Sequence, residues 1–227
     1  MLSVAMLVYA VTPEIAAMTQ RNVATMLRNT AGPLDLRVFI NGGPPVAFER
    51  DERLTVIYQA DRSSIAHAYN LAFSHAEGNV YACVHNDVEV PPGWDSLLND
   101  GGPGIAFPEV IEDAQDCAER GIGLTKPYFP PGSCFALPRA LYEELGGFDE
   151  MYEDCHFEDT DLWQRALDAG YPLRRVALRV VHGRGKTRTE LPDRGNGAFA
   201  RNRGVYIGKF RRSDGSVPLP TLQGVTP

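Results

Sequence analysis

The stretch His85-Asn86-Asp87-Val88-Glu89 closes the apolar run Val80-Tyr81-Ala82-Cys83-Val84 and sets two carboxylates two residues apart. If the run is a strand, its period of two points Asp87 and Glu89 to the same side, and a loop there can converge them on one cation. Hard divalent cations take oxygen ligands and bridge to diphosphate oxygens. The competing account is a polar turn capping a helix near Pro91-Pro92-Gly93-Trp94. In an open α/β sheet the carboxyl ends of the strands are where ligands bind, which favours chemistry.

Glu158, Asp159 and Asp161 form a second acidic group, at the start of a predicted helix. A helix dipole stabilises each acid there by ~0.3–1 kcal/mol, so capping explains them. Asp161 and Arg165, four apart, can also pair along the helix. Three carboxylates within four residues repel one another, however, and repulsion raises pKa values toward those of a general base. The two roles are compatible.

His182 ends another apolar run and is followed by Gly183-Arg184-Gly185-Lys186-Thr187. Glycines allow close backbone approach, and two cations suit a diphosphate. The spacing is not that of a Walker loop. Arg62, His67 and Asn70 lie at or on a predicted helix, where Arg62 either pairs with phosphate or belongs to a solvated face. Cys155-His156 beside Glu153 and Asp154 lacks the second cluster that a zinc site needs.

The elements that must position these groups alternate. Ser3 to Val11 reads as a buried strand, and Thr12-Pro13-Glu14 opens a helix that Gly32-Pro33 stops. Strands are expected at 34–40, 54–58 and 80–84, with a turn at Asn41-Gly42-Gly43-Pro44-Pro45 and a helix over 63–76. This order is a doubly wound α/β pattern. Further strands are expected at 105–110, 133–137 and 173–181, and helices at 138–145, 157–169 and 198–210. Residues 111–131 read as a lid-like loop, and the tail from Ser213 is expected to fray. Trp94 and Trp163 read as core anchors.

The chain of 227 residues carries a formal charge of −7, unevenly spread. Between Arg174 and Arg212, 12 Lys or Arg face only Glu190 and Asp193, which suggests contact with phosphate. The four cysteines form no C-x-x-C pair and read as free thiols of a reducing compartment, so a cytoplasmic location is expected. No run is long enough to span a bilayer, and the apolar N-terminus lacks the basic flank of a signal peptide.

Four blocks, in order, resemble the family-2 glycosyltransferases of the GT-A fold, particularly their short rhamnosyltransferase-like bacterial and phage members. They are Tyr9-Ala10-Val11-Thr12 after the first strand, the helix Ile65 to Ala72, the block His85 to Glu89 with Pro92-Gly93-Trp94, and Gly146-Gly147-Phe148-Asp149-Glu150 with Phe157-Glu158-Asp159-Thr160-Asp161-Leu162. The resemblance covers roughly Ser3 to Lys186. In one register the family's D-x-D block is His85-Asn86-Asp87; in the other it is Asp87-Val88-Glu89. Asn41 stands where many relatives carry an aspartate that reaches the base.

The resemblance implies a single GT-A domain over 1–186, a Rossmann-like mixed sheet flanked by helices, with a nucleotide-sugar half (1–100) and an acceptor half (101–186). A basic helical extension (187–212) and a proline-containing tail (213–227) follow. It implies an inverting transfer from a nucleoside-diphosphate sugar, with Mn2+ or Mg2+ held by Asp87, Glu89 and His182. Tyr9, Val11, Thr12, Asn41, Arg62, Asn70, His85, Asn86, Asp87 and Lys186 would bind the donor. Gly132, Ser133, Glu158 and Asp161 would bind the acceptor, and Asp159 would be the base. A saccharide or lipid-linked saccharide is the expected acceptor; the basic stretch raises nucleic acid bearing a hydroxylated base as another. A nucleotidyltransferase, which would show a glycine-rich loop near the N-terminus, and a non-catalytic sugar-nucleotide-binding module are the rival expectations.

Overall fold

A computed structural model describes residues 1–119, 123–183 and 196–225. The first strand, β1 (Leu2–Val8), shows how the sequence builds the molecule. Leu2, Val4, Met6 and Val8 enter one core, while Ala5 enters the other, as alternation on a sheet covered on both faces requires. Helix α1 (Pro13–Asn29) covers the first face with Ile15, Met18, Val23 and Met26. Its N-terminus is capped by Thr12, whose hydroxyl accepts from the Ile15 amide, with proline at the first helical position.

Strands β2 (Leu34–Asn41), β3 (Leu54–Gln59) and β4 (Val80–Val84) complete the parallel half, and α2 (Ile65–Phe73), capped by Ser64, covers the second face. The remaining elements are β5 (Val88–Glu89), α3 (Trp94–Leu98), β6 (Ile105–Ile111), α4 (Ala114–Glu119), β7 (Cys134–Pro138), α5 (Arg139–Glu144), α6 (Glu158–Asp168), β8 (Leu173–His182) and α7 (Asn196–Phe210). The sheet order is β3-β2-β1-β4-β7-β6-β8-β5. β7 is antiparallel to β4 and β6, and β8 runs parallel to β6, so the sheet is mixed. All four cysteines are buried thiols outside any disulfide.

Three expectations are corrected. The described part of the tail packs back: Leu222 is buried in the second core, its amide donates to Tyr128 O, and the Gln223 amide donates to Leu173 O. The stretch 111–131 contains α4 as well as loop. Among the described residues, part of the basic stretch is ion-paired. Arg174 pairs with Asp100 at 2.8 Å, Arg179 with Glu109 at 2.6 Å, Arg201 with Glu153 at 2.8 Å, and Lys209 with Asp149 and Asp161 at 2.6 and 2.7 Å.

Candidate active site

Where β4 ends, the chain turns through His85, whose amide donates to Ser133 O and whose carbonyl accepts from the Val88 amide. The two-residue strand β5 then pairs antiparallel with the end of β8, in register Val88 to His182, and the Gly183 amide donates to Asp87 O. This short ladder carries His182 to Asp87: Nε2 lies 3.3 Å from Asp87 Oδ1. The His85 ring meets the His182 ring edge-on, centroids 5.9 Å apart. One ligand atom each from His85, Asp87 and His182 lies within 4.8 Å of the others. Glu89 is exposed on β5 and outside this group.

A network absent from the sequence motifs fixes the turn. Asn86 Nδ2 donates to Thr19 Oγ1, and Asn22 Nδ2 donates to Asn86 O, both from the buried side of α1. On the other side, Glu112 Oε1 lies 3.4 Å from His182 Nδ1 and accepts from Thr125 Oγ1, while Glu112 Oε2 accepts from the Thr125 amide. Burial disfavours charge on His182, but Asp87 and Glu112 outweigh it and raise its pKa to about 9. Burial lowers that of His85 to about 4. Burial opposes the Asp87 charge, but His182 more than offsets it, so its pKa is lowered.

The group fits a divalent cation. Glu112 holds Nδ1 of His182 and so turns Nε2 toward Asp87; a cation there would displace the Nε2 proton, and a carboxylate behind a ligating imidazole is the usual arrangement. Two imidazoles beside one carboxylate favour a first-row transition ion over Mg2+, which prefers an all-oxygen shell.

A cleft of about 910 Å3 runs past this group. Tyr9, Asn41 and Arg62 line it. The Arg62 guanidinium sits 5.1 Å from the Tyr9 ring centroid and 3.5 Å from Asp154 Oδ1. Both ends of the Asn41 amide are engaged by Ser63: Nδ2 donates to its carbonyl, and Oδ1 accepts from its amide and hydroxyl.

Gly132, Ser133, Glu158 and Asp159 line the cleft as well, with Gly132 against Asp159. A Cβ on Gly132 would meet Asp159 Oδ2 at 2.1 Å, so any larger residue must displace this carboxylate. Asp159 Oδ1 accepts from the Thr160 amide at 2.6 Å and the Thr160 hydroxyl at 3.1 Å. Burial raises the pKa of Asp159 despite these bonds. Burial, then the neighbouring Asp159 charge, raises that of Glu158, whose buried Oε2 has no hydrogen-bond partner among the described residues.

Several expected site residues lie elsewhere. Asn70 brackets the Gly147-Phe148 turn: Oδ1 accepts from the Tyr142 hydroxyl and Phe148 amide, and Nδ2 donates to Phe148 O and Glu150 Oε1. Asp161 is fully buried and takes Tyr152 Oη, Arg165 and Lys209. Thr12 is the cap of α1, and neither it nor Val11 lines the cleft. Lys186 lies outside the described residues, as does most of the Gly183-Arg184-Gly185-Lys186-Thr187 stretch.

No protein-family model matches the chain, and no curated protein is similar to it in sequence. Solved structures are similar in fold. A mannosyltransferase, PcManGT from Pyrobaculum calidifontis, in complex with GDP-Man and Mn2+, superposes with a TM-score of 0.60 at 19% identity over 96% of this chain. GalNAc-T7 with UDP, GalNAc and Mn2+ gives 0.56 at 17% over 80%. TarS from S. aureus with UDP-GlcNAc gives 0.53 at 11% over 81%. The chain spans 65%, 43% and 56% of those three proteins. With its eight-stranded mixed sheet and strand-end cleft, the chain has the GT-A fold.

Proposed function

We propose that this chain is an inverting, metal-dependent glycosyltransferase that moves a sugar from a nucleoside-diphosphate sugar to an acceptor hydroxyl. The observation that carries this is the convergence of His85, Asp87 and His182 in a GT-A cleft that also presents Asp159. The similar structures hold nucleotide sugars or their products, two of them with Mn2+.

In this account His85, Asp87 and His182 hold the cation, with Glu112 orienting His182 and Asn86 fixing the turn from α1. A bound divalent cation supplies charge neutralisation for the departing diphosphate. Tyr9 and Arg62 flank the nucleotide end. Asn41 supports that wall through Ser63 and keeps one Nδ2 hydrogen for a ligand. Asp159, made more basic by burial, takes the proton of the acceptor hydroxyl. The acceptor oxygen bonds to the anomeric carbon on the face opposite the diphosphate, whose oxygen leaves with the electron pair. Gly132 and Ser133 form the acceptor wall with Glu158.

A saccharide or lipid-linked saccharide is the acceptor class we favour. Among the described residues, ion pairs engage Arg174, Arg179, Arg201 and Lys209, which lessens the cationic charge that would favour a phosphate-rich polymer.

The test is calorimetric titration of UDP and GDP with and without Mn2+. Binding of one of them should require the ion in the wild type and vanish in Asp87→Ala. Equal affinity in Asp87→Ala with Mn2+ present contradicts the metal assignment.

A further inference from the structure

The segment before the catalytic helix is held in an unusual backbone conformation. Asp154, His156 and Phe157 have φ of 57°, 78° and 71°, three non-glycine residues of four in the left-handed region. L side chains occupy that region only where surrounding contacts impose it, and such residues gather at functional sites. Here the imposing contacts come from α7, beyond the part of the chain whose motifs carry the chemistry.

Asn202 of α7 is fully buried. Its Nδ2 donates to Glu153 O at 2.7 Å, Cys155 O at 2.9 Å and His156 O at 3.0 Å, and its Oδ1 accepts from the Glu153 amide at 3.3 Å. Only an amide side chain can donate and accept in this way; a carboxylate offers acceptors alone. The Phe199 ring lies 5.5 Å from that of His156 and 5.3 Å from that of Phe157, and the Tyr206 ring lies 5.5 Å from that of Phe157. From the opposite side the Ile65 amide donates to Asp154 O. The Phe157 carbonyl then accepts from the Asp161 amide as α6 begins, so one residue, Glu158, separates this fixed segment from Asp159.

We propose that Asn202 is a positioning residue for the transfer reaction: it locks residues 153–157 in their left-handed path and thereby sets where α6 presents Asp159 to the cleft. The proposal rests on the reading of Asp159 as the base. It makes α7 part of the catalytic apparatus, and it assigns the C-terminal helix a task that its basic composition conceals.

Cys155 supplies a readout independent of catalysis. It sits within the locked segment and is 8% exposed, while Cys83, Cys117 and Cys134 are 0%, 2% and 0% exposed. The experiment uses the full chain as wild type, Asn202→Ala, Asn202→Asp and Phe199→Ala. Phe199 is 47% exposed, so its truncation leaves the core intact if the Asn202 variants fail to fold. Each thiol is labelled with iodoacetamide and quantified by peptide mass spectrometry. Mn2+-dependent binding of UDP and GDP and Mn2+-dependent hydrolysis of nucleotide sugars are measured alongside.

The expected result is faster labelling of Cys155 alone, by about tenfold or more in the Asn202 variants and less in Phe199→Ala. Nucleotide affinity should be retained while kcat for hydrolysis falls about tenfold or more. Cys155 labelled at the wild-type rate, all four thiols accelerated together, or unchanged kcat with an accelerated Cys155 would each overturn the proposal. If the wild type hydrolyses no nucleotide sugar, the reading of Asp159 fails and, with it, the catalytic part of this proposal. The labelling still decides whether Asn202 locks the loop.

Discussion

Replacing Gly132 with alanine adds one methyl group and aims it at the proposed base. The new Cβ would lie 2.1 Å from Asp159 Oδ2 and 3.2 Å from its Cγ. Gly132 does not occupy the left-handed region, so alanine brings no backbone penalty and the defect is the contact alone. Asp159 cannot simply rotate away, because Oδ1 is held by the Thr160 amide and hydroxyl. Restoring an ordinary contact requires a movement of roughly 1 Å, and a misplacement of that size costs about 10²-fold in rate. Overpacking should also cost about 1–3 kcal/mol of stability, or about 2–4 °C of Tm per kcal/mol in a chain of this size. The assay is Mn2+-dependent release of nucleoside diphosphate from a nucleotide sugar, with calorimetry of UDP and GDP as the control. Nucleotide affinity should hold, since the proposed function assigns neither Gly132 nor Asp159 to the nucleotide. A rate loss below about tenfold, or under about 1.4 kcal/mol of barrier, would refute the placement of Asp159 as the base.

Asp159→Asn should keep Mn2+-dependent nucleotide binding and lose about 10²–10⁴-fold in turnover, the scale of general base catalysis; near-normal turnover would move the base to another group. Glu158 has a raised pKa in the folded protein, so between its ordinary value of 4.5 and that raised value the native state binds more protons than the unfolded one. Stability from this group is therefore present at low pH and lost as pH rises through the folded pKa. Glu158→Gln should raise Tm relative to wild type at pH 8 and lose that advantage near pH 4.5, as scanning calorimetry across pH will show; a constant difference would contradict the assignment. Asn70→Ala should lower stability by about 1–3 kcal/mol through the freed Phe148 backbone groups, measured by urea unfolding, without changing UDP or GDP affinity. A large affinity loss would restore the donor-binding role.

Much of the fold was legible because hydrophobic period and cap chemistry agree. The run at 80–84, the Thr12-Pro13 start of α1 and the acid-rich start of α6 all fall where the local pattern places them. Asp87 and His182 were legible as polar residues closing apolar strands, but what unites them is β5, two residues long and too short to leave a periodic signal. Beside that strand His85 lies near Asp87, while Glu89 is exposed. Glu112, Thr19, Asn22 and Asn202 were not legible, since their partners are 64 to 70 residues away for Asn22, Thr19 and Glu112, and 46 to 49 away for Asn202. At the C-terminus composition left the ion pairing unread. A count of cations in 174–212 does not reveal that Asp100, Glu109, Glu153 and Asp149 lie opposite several of them.

The central claim is that His85, Asp87 and His182 carry metal-dependent glycosyl chemistry in this cleft. The most direct test presents UDP- and GDP-linked sugars to the wild type and to Asp87→Ala, with Mn2+ or with a chelator, and follows release of the nucleoside diphosphate. The account predicts release by the wild type from at least one donor, only when Mn2+ is present, and none by Asp87→Ala. Release that persists in chelator, or that Asp87→Ala supports as well as wild type, would contradict it.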